Sequence, residues 1–598
     1  MEAAAKREGL ADEASLRSLL APGSIAVLGD VAHPATRRLM DELAPFSGPV
    51  HYGGVEGADL PDDARPELAV VTSPPERAVA AVRRCAERGV RAIIVTATGF
   101  DREQGLDLLK ACRANGMRLV GPGSLGVAAP HGADGFSALL SATAPDPGPA
   151  GVAVQSGGVG LALLSHLDRL GIGVSTFAAV GEKYDVSAND LLLHWEQDSD
   201  TKLGLLHVES FGNPRKFAHT ARRLSRLIPL LAVDPEQSLS QARTALYAQA
   251  GIIAVPSLGA LVDAAALAAH QPLPRGRRVA VIGNTHGMVS LAVQACLYAG
   301  FEVTHAVDAT PSADAAKLAE HITHAFERTV PAADSTEADD AAAPTAPESI
   351  FLALAPATPE LTDLDPAMEA VPAGVTVLAV LVGQPESVAV RRCGPHQQYV
   401  LPCYNDAAAA ADALTAARRA GRVRQLSPTR IEYPPNIDLP VLRAVVESGL
   451  DKDGAGRELS AAENAELLAA LGVGDGRHPR VGLDAREATI TAWQDKVFGP
   501  VLFGLSDLWR QPVTMLAPLD AGTAESVAAR VAGDPAPALA DLFRRVAALV
   551  DACPEIASFR LDVEFDESGV RRGEGVTLVA PAETQNPYLR RLRRAPVE

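Results

Sequence analysis

The stretch Gly151-Val152-Ala153-Val154-Gln155-Ser156-Gly157-Gly158-Val159-Gly160 decides the fold. Its first four residues form a short apolar run without polar alternation, the pattern of a strand covered on both faces. The glycines that follow permit a sharp turn and close approach of the backbone. A helical pattern then runs to Leu170. Strand, glycine turn and helix make the repeating unit of a parallel sheet with right-handed crossovers. In such sheets ligands bind beyond the carboxyl ends of the strands. The free N–H groups and positive helix end after Gln155-Ser156-Gly157-Gly158 suit an anion. Without a ligand the same residues make a plain sharp turn.

The pattern recurs on both sides. Upstream, strands are predicted over 24–28, 68–72, 92–96 and 118–120, with helices over 76–88 and 106–115. These make a Rossmann-like domain over 16–145. The absence of GxGxxG after its first strand argues against a dinucleotide. Strands over 204–208, 228–233 and 252–255 complete a flavodoxin-like domain over 150–272. A second flavodoxin-like domain, 276–425, opens with a strand at 278–282 and continues with strands at 350–354 and 375–382. Residues 331–348, rich in Ala, Asp, Glu, Pro and Thr, are predicted to be a disordered surface insertion. Residues 428–440 form a proline-bearing linker. The remainder, 441–598, is a smaller α+β domain with helices at 461–471 and 537–551.

Composition sets the outer bounds. A chain of 598 residues exceeds what one core sustains, so several domains are expected. The net charge of −19 disfavours nucleic acid or an anionic membrane as main partner, since both reward clustered Lys and Arg. No apolar run approaches the ~20 residues that span a bilayer, and no secretory signal is visible. A cytoplasmic protein is expected. The six cysteines form no CxxC pair and read as buried, reduced thiols. His321 and His324 have the spacing of metal ligands on a helix. No carboxylate or cysteine cluster accompanies them, so no metal site is expected.

Further candidates stand at strand ends. Gly29-Asp30 follows the first strand; it is either a tight βα turn or a ligand contact in which Asp30 would repel phosphate. Ser73 follows the second strand, and Thr98-Gly99-Phe100 the third. Gly121-Pro122-Gly123-Ser124-Leu125-Gly126 lets the backbone approach a ligand, or is a loop between domains. Residues 181–190 read as a polar stretch between helical segments. Glu209, at a strand's carboxyl end, is either an orienting carboxylate or a capping residue. His286 occupies a glycine-bearing turn, as a ligand-facing or an ordinary loop histidine.

Taken in order, several phrases resemble the NDP-forming acyl-CoA synthetases and the α subunit of succinyl-CoA synthetase. They are Ala97-Thr98-Gly99-Phe100, Gly116-Met117-Arg118-Leu119-Val120-Gly121-Pro122, Gln155-Ser156-Gly157-Gly158, Val180-Gly181 with Asp185-Val186-Ser187-Ala188-Asn189-Asp190, and residues 209–217. The resemblance is strong over 16–275, moderate over 276–425 and faint over 458–580. Such enzymes make an acyl phosphate, pass phosphate to a histidine on a swinging loop and then to ADP, while CoA takes the acyl group. The resemblance implies that 16–130 binds CoA or acyl-CoA, with Gly29, Ser73, Thr98, Gly99, Phe100, Gly121, Pro122 and Ser124 on that side. It implies that Ser156-Gly157, with Gln155 and Gly158, cradles phosphate and that Glu209 steadies the phosphohistidine. Glu209 and His286 are the catalytic candidates. Family members self-associate, so a homo-oligomer is expected.

Three departures set this chain apart. No histidine occurs between His219 and His270. Residues 234–240 run almost directly into a helix at 242–250, and the carboxylate Glu236 has nothing to activate it. The C-terminal region resembles an ATP-grasp domain without its first lobe. Residues 459–473 match the opening helix; Asp495, Phe498-Gly499-Pro500 and Phe503-Gly504-Leu505 match the second lobe; a Gly-Gly pair reads Ser506-Asp507. The stretch from 473 to 495 is too short for a nucleotide clamp. The family's metal-binding acid and Asn fall on Arg560 and Asp562, although Mg²⁺ needs carboxylate oxygens. Gly121-Pro122-Gly123-Ser124 also stands where the family has Gly-Pro-Asn-Cys. ATP and Mg²⁺ chemistry is therefore in doubt. The expected protein is a degenerate synthetase that binds CoA or acyl-CoA in a regulatory or scaffolding role. It is similar to the synthetase-like domain of protein lysine acetyltransferases. No RxxGxG acetyltransferase signature is present, so an acyltransferase would be a separate partner. The alternatives are an active CoA-dependent synthetase or acyltransferase, and a structural oligomerisation protein without a ligand.

Overall fold

The computed structural model describes residues 16–582 except 133–134, 143, 238–239, 328–345, 357–362, 395, 427–430, 451–455, 474–485, 508 and 567–568. The chain divides into two compact units: residues 1–210, 220–235 and 251–426, and residues 211–219, 236–250 and 427–598.

The first unit holds three sheets. Its first has strands β1 (Ile25–Leu28), β2 (Val50–Gly53), β3 (Leu68–Val71), β4 (Ala92–Val95) and β5 (Arg118–Val120), all parallel, in the order β2-β1-β3-β4-β5. The runs Ile25-Ala26-Val27-Leu28 and Leu68-Ala69-Val70-Val71 are buried throughout, as continuous apolar strands between helical layers must be. The helix Arg102–Ala114 starts at a capping box of Asp101 and Gln104 and buries Leu108, Leu109 and Cys112.

The second sheet has β6 (Gly126–Ala129), β7 (Phe136–Leu139), β8 (Pro147–Val154), β9 (Val174–Ala179), β10 (Leu203–His207), β11 (Leu230–Val233) and β12 (Ile253–Val255), in the order β12-β11-β10-β8-β9-β6-β7. Five strands are parallel; the β6–β7 hairpin pairs antiparallel onto β9. Strands β6 and β7 therefore join the second sheet, whereas the sequence places them in the Rossmann-like domain. Gly126-Val127-Ala128-Ala129 carries little side-chain signal, and its partner β9 is remote in sequence. Residues 181–190 follow strand β9 rather than a helix.

The third sheet has β13 (Arg278–Gly283), β14 (Glu302–Asp308), β15 (Ser349–Leu354), β16 (Thr376–Leu381), β17 (Val388–Cys393) and β18 (Tyr399–Tyr404), in the order β14-β13-β15-β16-β18-β17. It shares one apolar cluster with the second sheet, reaching from Val152 and Leu205 through Leu261 and Leu414 to Val281 and Phe351. Residues 331–345 of the predicted insertion lie outside the described residues. Its last residues are ordered, contrary to the sequence reading. Glu348 pairs with Arg278 and accepts the Gly276 N–H, and the Ala346 carbonyl accepts from Arg278 Nε at 2.8 Å.

The second unit is built on an antiparallel sheet: β19 (Arg486–Asp495), β20 (Gly499–Ser506), β21 (Trp509–Leu516), β22 (Ile556–Asp566) and β23 (Gly569–Val579), in the order β21-β20-β19-β22-β23. Alternation sets its faces. Ala488, Ile490 and Ala492 point into a core closed by the helices Ala521–Ala532 and Pro537–Ala552, while Thr489, Thr491 and Trp493 point outward. The helix Gln241–Ala250 belongs to this unit. Its Gln249 side chain donates to the Leu516 carbonyl (2.9 Å) and accepts the Leu516 N–H (2.8 Å). Among the described residues no helix is long and apolar enough to cross a membrane.

Candidate functional site

The carboxyl edge of the second sheet gathers the polar residues that its strands deliver. Strand β8 ends at Val154, and the helix Gly157–Arg169 starts two residues later with Ser156 at its N-cap. The Ser156 side chain makes no capping bond, so the first-turn N–H groups have no side-chain acceptor there. The Gln155 amide oxygen accepts the N–H of Glu209 (3.3 Å) and of Ser210 (3.1 Å), and its nitrogen donates to Ser210 Oγ (3.1 Å). Lys183 Nζ donates to the Ser210 carbonyl. Gln155 and Lys183 thus anchor the strand end that carries Glu209.

Next to Glu209 stands a residue that sequence reasoning missed. His207 closes β10 and is 6% exposed. Its Nε2 lies 3.9 Å from Glu209 Oε1, and its Nδ1 is buried without a hydrogen-bond partner among the described residues. Burial pushes the imidazole below its ordinary value, with Glu209 and Asp234 opposing that shift. Asp234, also buried, is the first residue after β11. A histidine two residues before an acid at a strand end was a readable signal, hidden because the strand reads as an apolar run.

Residues 234–240 connect β11 to the helix Gln241–Ala250, with 238–239 outside the described residues. Glu236 is paired with Arg243 at 2.5 Å, and the Arg243 guanidinium lies 5.2 Å from the centre of the Phe211 ring.

The second gathering point joins the first two sheets. Gly121 has φ +91°, and a Cβ there would overlap the Val95 carbonyl; Gly181 has φ +57°, and a Cβ there would overlap the Pro122 carbonyl. Only glycine meets both demands. The Gly123 N–H donates to Ala97 (2.9 Å) and the Glu182 N–H to Pro122 (3.0 Å), which draws residues 97, 121–124 and 180–182 together. Thr98 and Gly99 are exposed beside this turn, and Phe100 is half-buried against the first core. Ser124 is buried, donating to Ala179 (2.5 Å) and accepting from Gly126 (2.9 Å). Its hydroxyl shapes the loop.

Beneath this turn lies a buried ion triad. Arg118 reaches Asp185 and Asp190, each at 2.8 Å, and all three side chains are buried. The two carboxylates raise the affinity of Arg118 for its proton, against the cost of burial.

Gly29 and Ser73 are placed by packing. A Cβ on Gly29 would overlap Thr72 Oγ1, which hydrogen-bonds Thr36 at 2.8 Å. Ser73 is buried and donates to the Val55 carbonyl. His286 opens the helix His286–Tyr298 on the third sheet, where it lines a groove with Val289, Val293, Leu297 and Asp308. Glu209 and His286 thus stand on different sheets.

Two stretches of the chain match known domain families. Residues 24–130 match the CoA binding domain family, and residues 147–268 match the succinyl-CoA ligase like flavodoxin domain. Both matched stretches are α/β domains, and curated relatives of similar sequence are ADP-forming acetate–CoA ligases. Among homologues, the chain is similar to the α subunit of acetate–CoA ligase [ADP-forming] I of Pyrococcus furiosus, 25% identical over 323 residues, covering 47% of this chain and 69% of that one. It is similar also to acetate–CoA ligase [ADP-forming] of Methanocaldococcus jannaschii, 25% identical over 316 residues, covering 47% of this chain and 44% of that one. The match thus spans less than half of the M. jannaschii enzyme. In fold it resembles PH0766 from Pyrococcus horikoshii, with TM-score 0.57 and 20% identity, covering 69% of this chain and 100% of that one. The apo dinucleotide-forming acetyl-coenzyme A synthetase 1 of Ca. Korarchaeum cryptofilum gives TM-score 0.57 at 19% identity, covering 69% and 98%.

Proposed function

We propose that this chain is a degenerate acyl-CoA synthetase homologue that binds CoA or acyl-CoA in a regulatory or scaffolding role and does not run ATP-driven ligation through a phosphohistidine. The observation that carries this reading is the segment 234–240. It leads from β11 to the next helix with no histidine, at the edge where Gln155, Ser156, Gly157 and Glu209 persist. A second observation supports the loss of the nucleotide half. Arg560 and Asp562 pair at 3.1 Å on the outer face of the five-stranded sheet, and Asp562 also accepts from Thr489 at 2.6 Å. A carboxylate committed to a guanidinium and a hydroxyl is poorly placed to ligate Mg²⁺.

The turn at 97–124 would take the CoA end of the ligand and the Gln155–Gly158 turn its anionic end. A cytoplasmic setting fits the six free, buried cysteines; burial pushes the thiols of Cys85, Cys112, Cys296 and Cys403 up to about 12. A separate acyltransferase partner and a homo-oligomer belong to the same reading.

Calorimetry with CoA and acetyl-CoA tests it. Binding is expected, and CoA at 100 times Kd should add about 2.7 kcal/mol to stability. ADP with Mg²⁺ should add none. Incubation with labelled ATP should leave the chain unlabelled; acid-labile label on any residue would reject the reading. Absence of heat with either thioester or thiol would favour a structural protein.

A further inference from the structure

We infer that the helix Ala407–Val423 and the segment leading into β13 form a binding site for a polyphosphate-bearing anion, built from Arg277, Arg418, Arg419 and Arg422. The inference stands apart from the CoA reading and does not depend on it.

Three observations carry it. The first is unpaired charge. The chain has a net charge of −19, yet none of these four side chains makes an ion pair or a side-chain hydrogen bond among the described residues. Glu348 lies beside the segment but is engaged by Arg278 and the Gly276 N–H. Asp412 is exposed earlier on the helix. The second is convergence. Arg418, Arg419 and Arg422 fall within a helical rise of about 6 Å. The Pro274 carbonyl stands where a Cβ on Gly421 would go, so the segment that carries Arg277 packs on the last helical turn. Burial first, and then the charges of Arg277, Arg422 and Arg419, lower the affinity of Arg418 for its proton. Arg418 Nε is buried without a hydrogen-bond partner, and its guanidinium lies 5.7 Å from the centre of the Phe301 ring. Leaving such a donor unpaired beside like charges is costly. The third is access. Arg277, Arg419 and Arg422 are exposed, so an anion reaches them from solvent. Arg277 directly precedes β13, and a Cβ on Gly251, just before β12, would overlap Val423. The cluster therefore sits at the amino edge of the second and third sheets, away from the glycine turns at the carboxyl edge.

Cations in the last turn of a helix favour its dipole. That effect does not recruit Arg277 from a separate segment, nor does it require cations that repel one another. Guanidinium forks match phosphate oxygens in pairs. Four of them crowded over about one helical turn suit the closely spaced charges of linked phosphates. A nucleic acid would need a longer basic track, which this acidic chain does not offer.

The test is calorimetry of the intact chain with inorganic triphosphate at physiological ionic strength. Binding is expected, weakening as salt rises. Arg277→Gln and Arg422→Gln change exposed side chains, and each should weaken binding by about 10–100-fold, the loss of a charged hydrogen bond. Arg422→Lys keeps the charge without the fork and should lose less. Arg84→Gln, an exposed arginine on the helix Pro75–Glu87 of the first sheet, should change nothing. Without ligand, Arg277→Gln relieves repulsion, so its Tm should hold or rise. A lowered Tm with undiminished triphosphate affinity would mark a structural role and overturn the inference. Equal heat from sulfate at matched ionic strength, or an equal loss in Arg84→Gln, would reduce the binding to general charge attraction and overturn it also. Triphosphate displaced by CoA, with full affinity kept in the Arg277 and Arg422 variants, would place the anion at the glycine turns instead. No heat with triphosphate would overturn the inference and leave the CoA reading intact.

Discussion

The carboxyl edge of the second sheet and the outer face of the five-stranded sheet are built by different means. At the first, backbone conformation shapes the edge: glycine turns at 121–123, 157–158 and 181, and a helix start without a side-chain cap. Polar side chains such as Gln155 and Lys183 brace the loops. At the second, everything depends on outward side chains. There Trp493 stacks on Phe503 with ring centres 4.2 Å apart, and Arg560 holds Asp562. A site written in backbone conformation changes only if a glycine is replaced, and such replacements strain the fold. A site written in outward side chains is rewritten one substitution at a time at little structural cost. Under the proposed reading, that asymmetry accounts for a chain that keeps CoA-side turns while Arg560 stands where the family would hold Mg²⁺.

If this contrast holds, the supports of the first region should be expensive to remove. Arg118→Ala leaves Asp185 and Asp190 buried without their cation and should cost about 3–5 kcal/mol. Urea denaturation would register it as a lowered midpoint. A loss below about 1 kcal/mol would place this triad with ordinary surface pairs and break the comparison.

Gly121→Ala comes next. The residue sits at φ +91°, against the Val95 carbonyl, so a side chain meets both strain and overlap. We expect a loss of about 1–3 kcal/mol together with weaker binding of CoA, read by thermal denaturation and calorimetry. Gly99→Ala is the control. Its φ is also positive at +86°, but no atom stands within 4 Å of a Cβ there. Strain without overlap should cost less.

Acid separates the regions by pH window. The folded state holds the His207 imidazole below 6.5, so the unfolded chain binds more protons there. This contribution to stability is complete above 6.5 and is lost as pH falls below it. Asp562 is opposite in chemistry and similar in sign. Burial raises its carboxyl, but hydrogen bonds from Thr489 and Arg560 outweigh that and hold it below 3.8, so its contribution is present above 3.8 and lost only in stronger acid. His207→Leu should flatten the mild-acid limb of a Tm-against-pH curve; Asp562→Asn should leave that limb unchanged. The reverse outcome would exchange the two assignments.

Much of the first region was legible in the sequence. The buried strands ending at Leu28, Val71, Val95 and Val154 are continuous apolar runs, and glycine marks several of the turns near them. What could not be read is what depends on remote partners. The β6–β7 hairpin joins β9 through residues too small to announce a face. Gly29 reads as a tight turn or a ligand contact and Ser73 as a ligand contact; that one makes room for Thr72 and the other donates to Val55 shows only in the folded chain. His207 is visible as a letter, but its burial and its neighbour Asp234 arise only when β10 and β11 pair.

The smallest effects belong to the five-stranded sheet. Trp493→Ala removes an exposed stacked pair and should cost about 0.5–1.5 kcal/mol beyond the area lost. Arg560→Ala should cost about 0.2–1 kcal/mol, because the pair is half exposed and water takes over much of the interaction. It also frees the Asp562 carboxylate, with Thr489 still bonded to it. If the outer face has lost nucleotide chemistry altogether, this freed acid should confer no thermal shift with Mg²⁺ and ADP, since one carboxylate rarely holds Mg²⁺ without the phosphates of a positioned nucleotide. A clear shift in Arg560→Ala alone would mean that the face still binds nucleotide and that the arginine acts as a block. The second region would then be a suppressed site, and the difference between the two would lie in a single side chain.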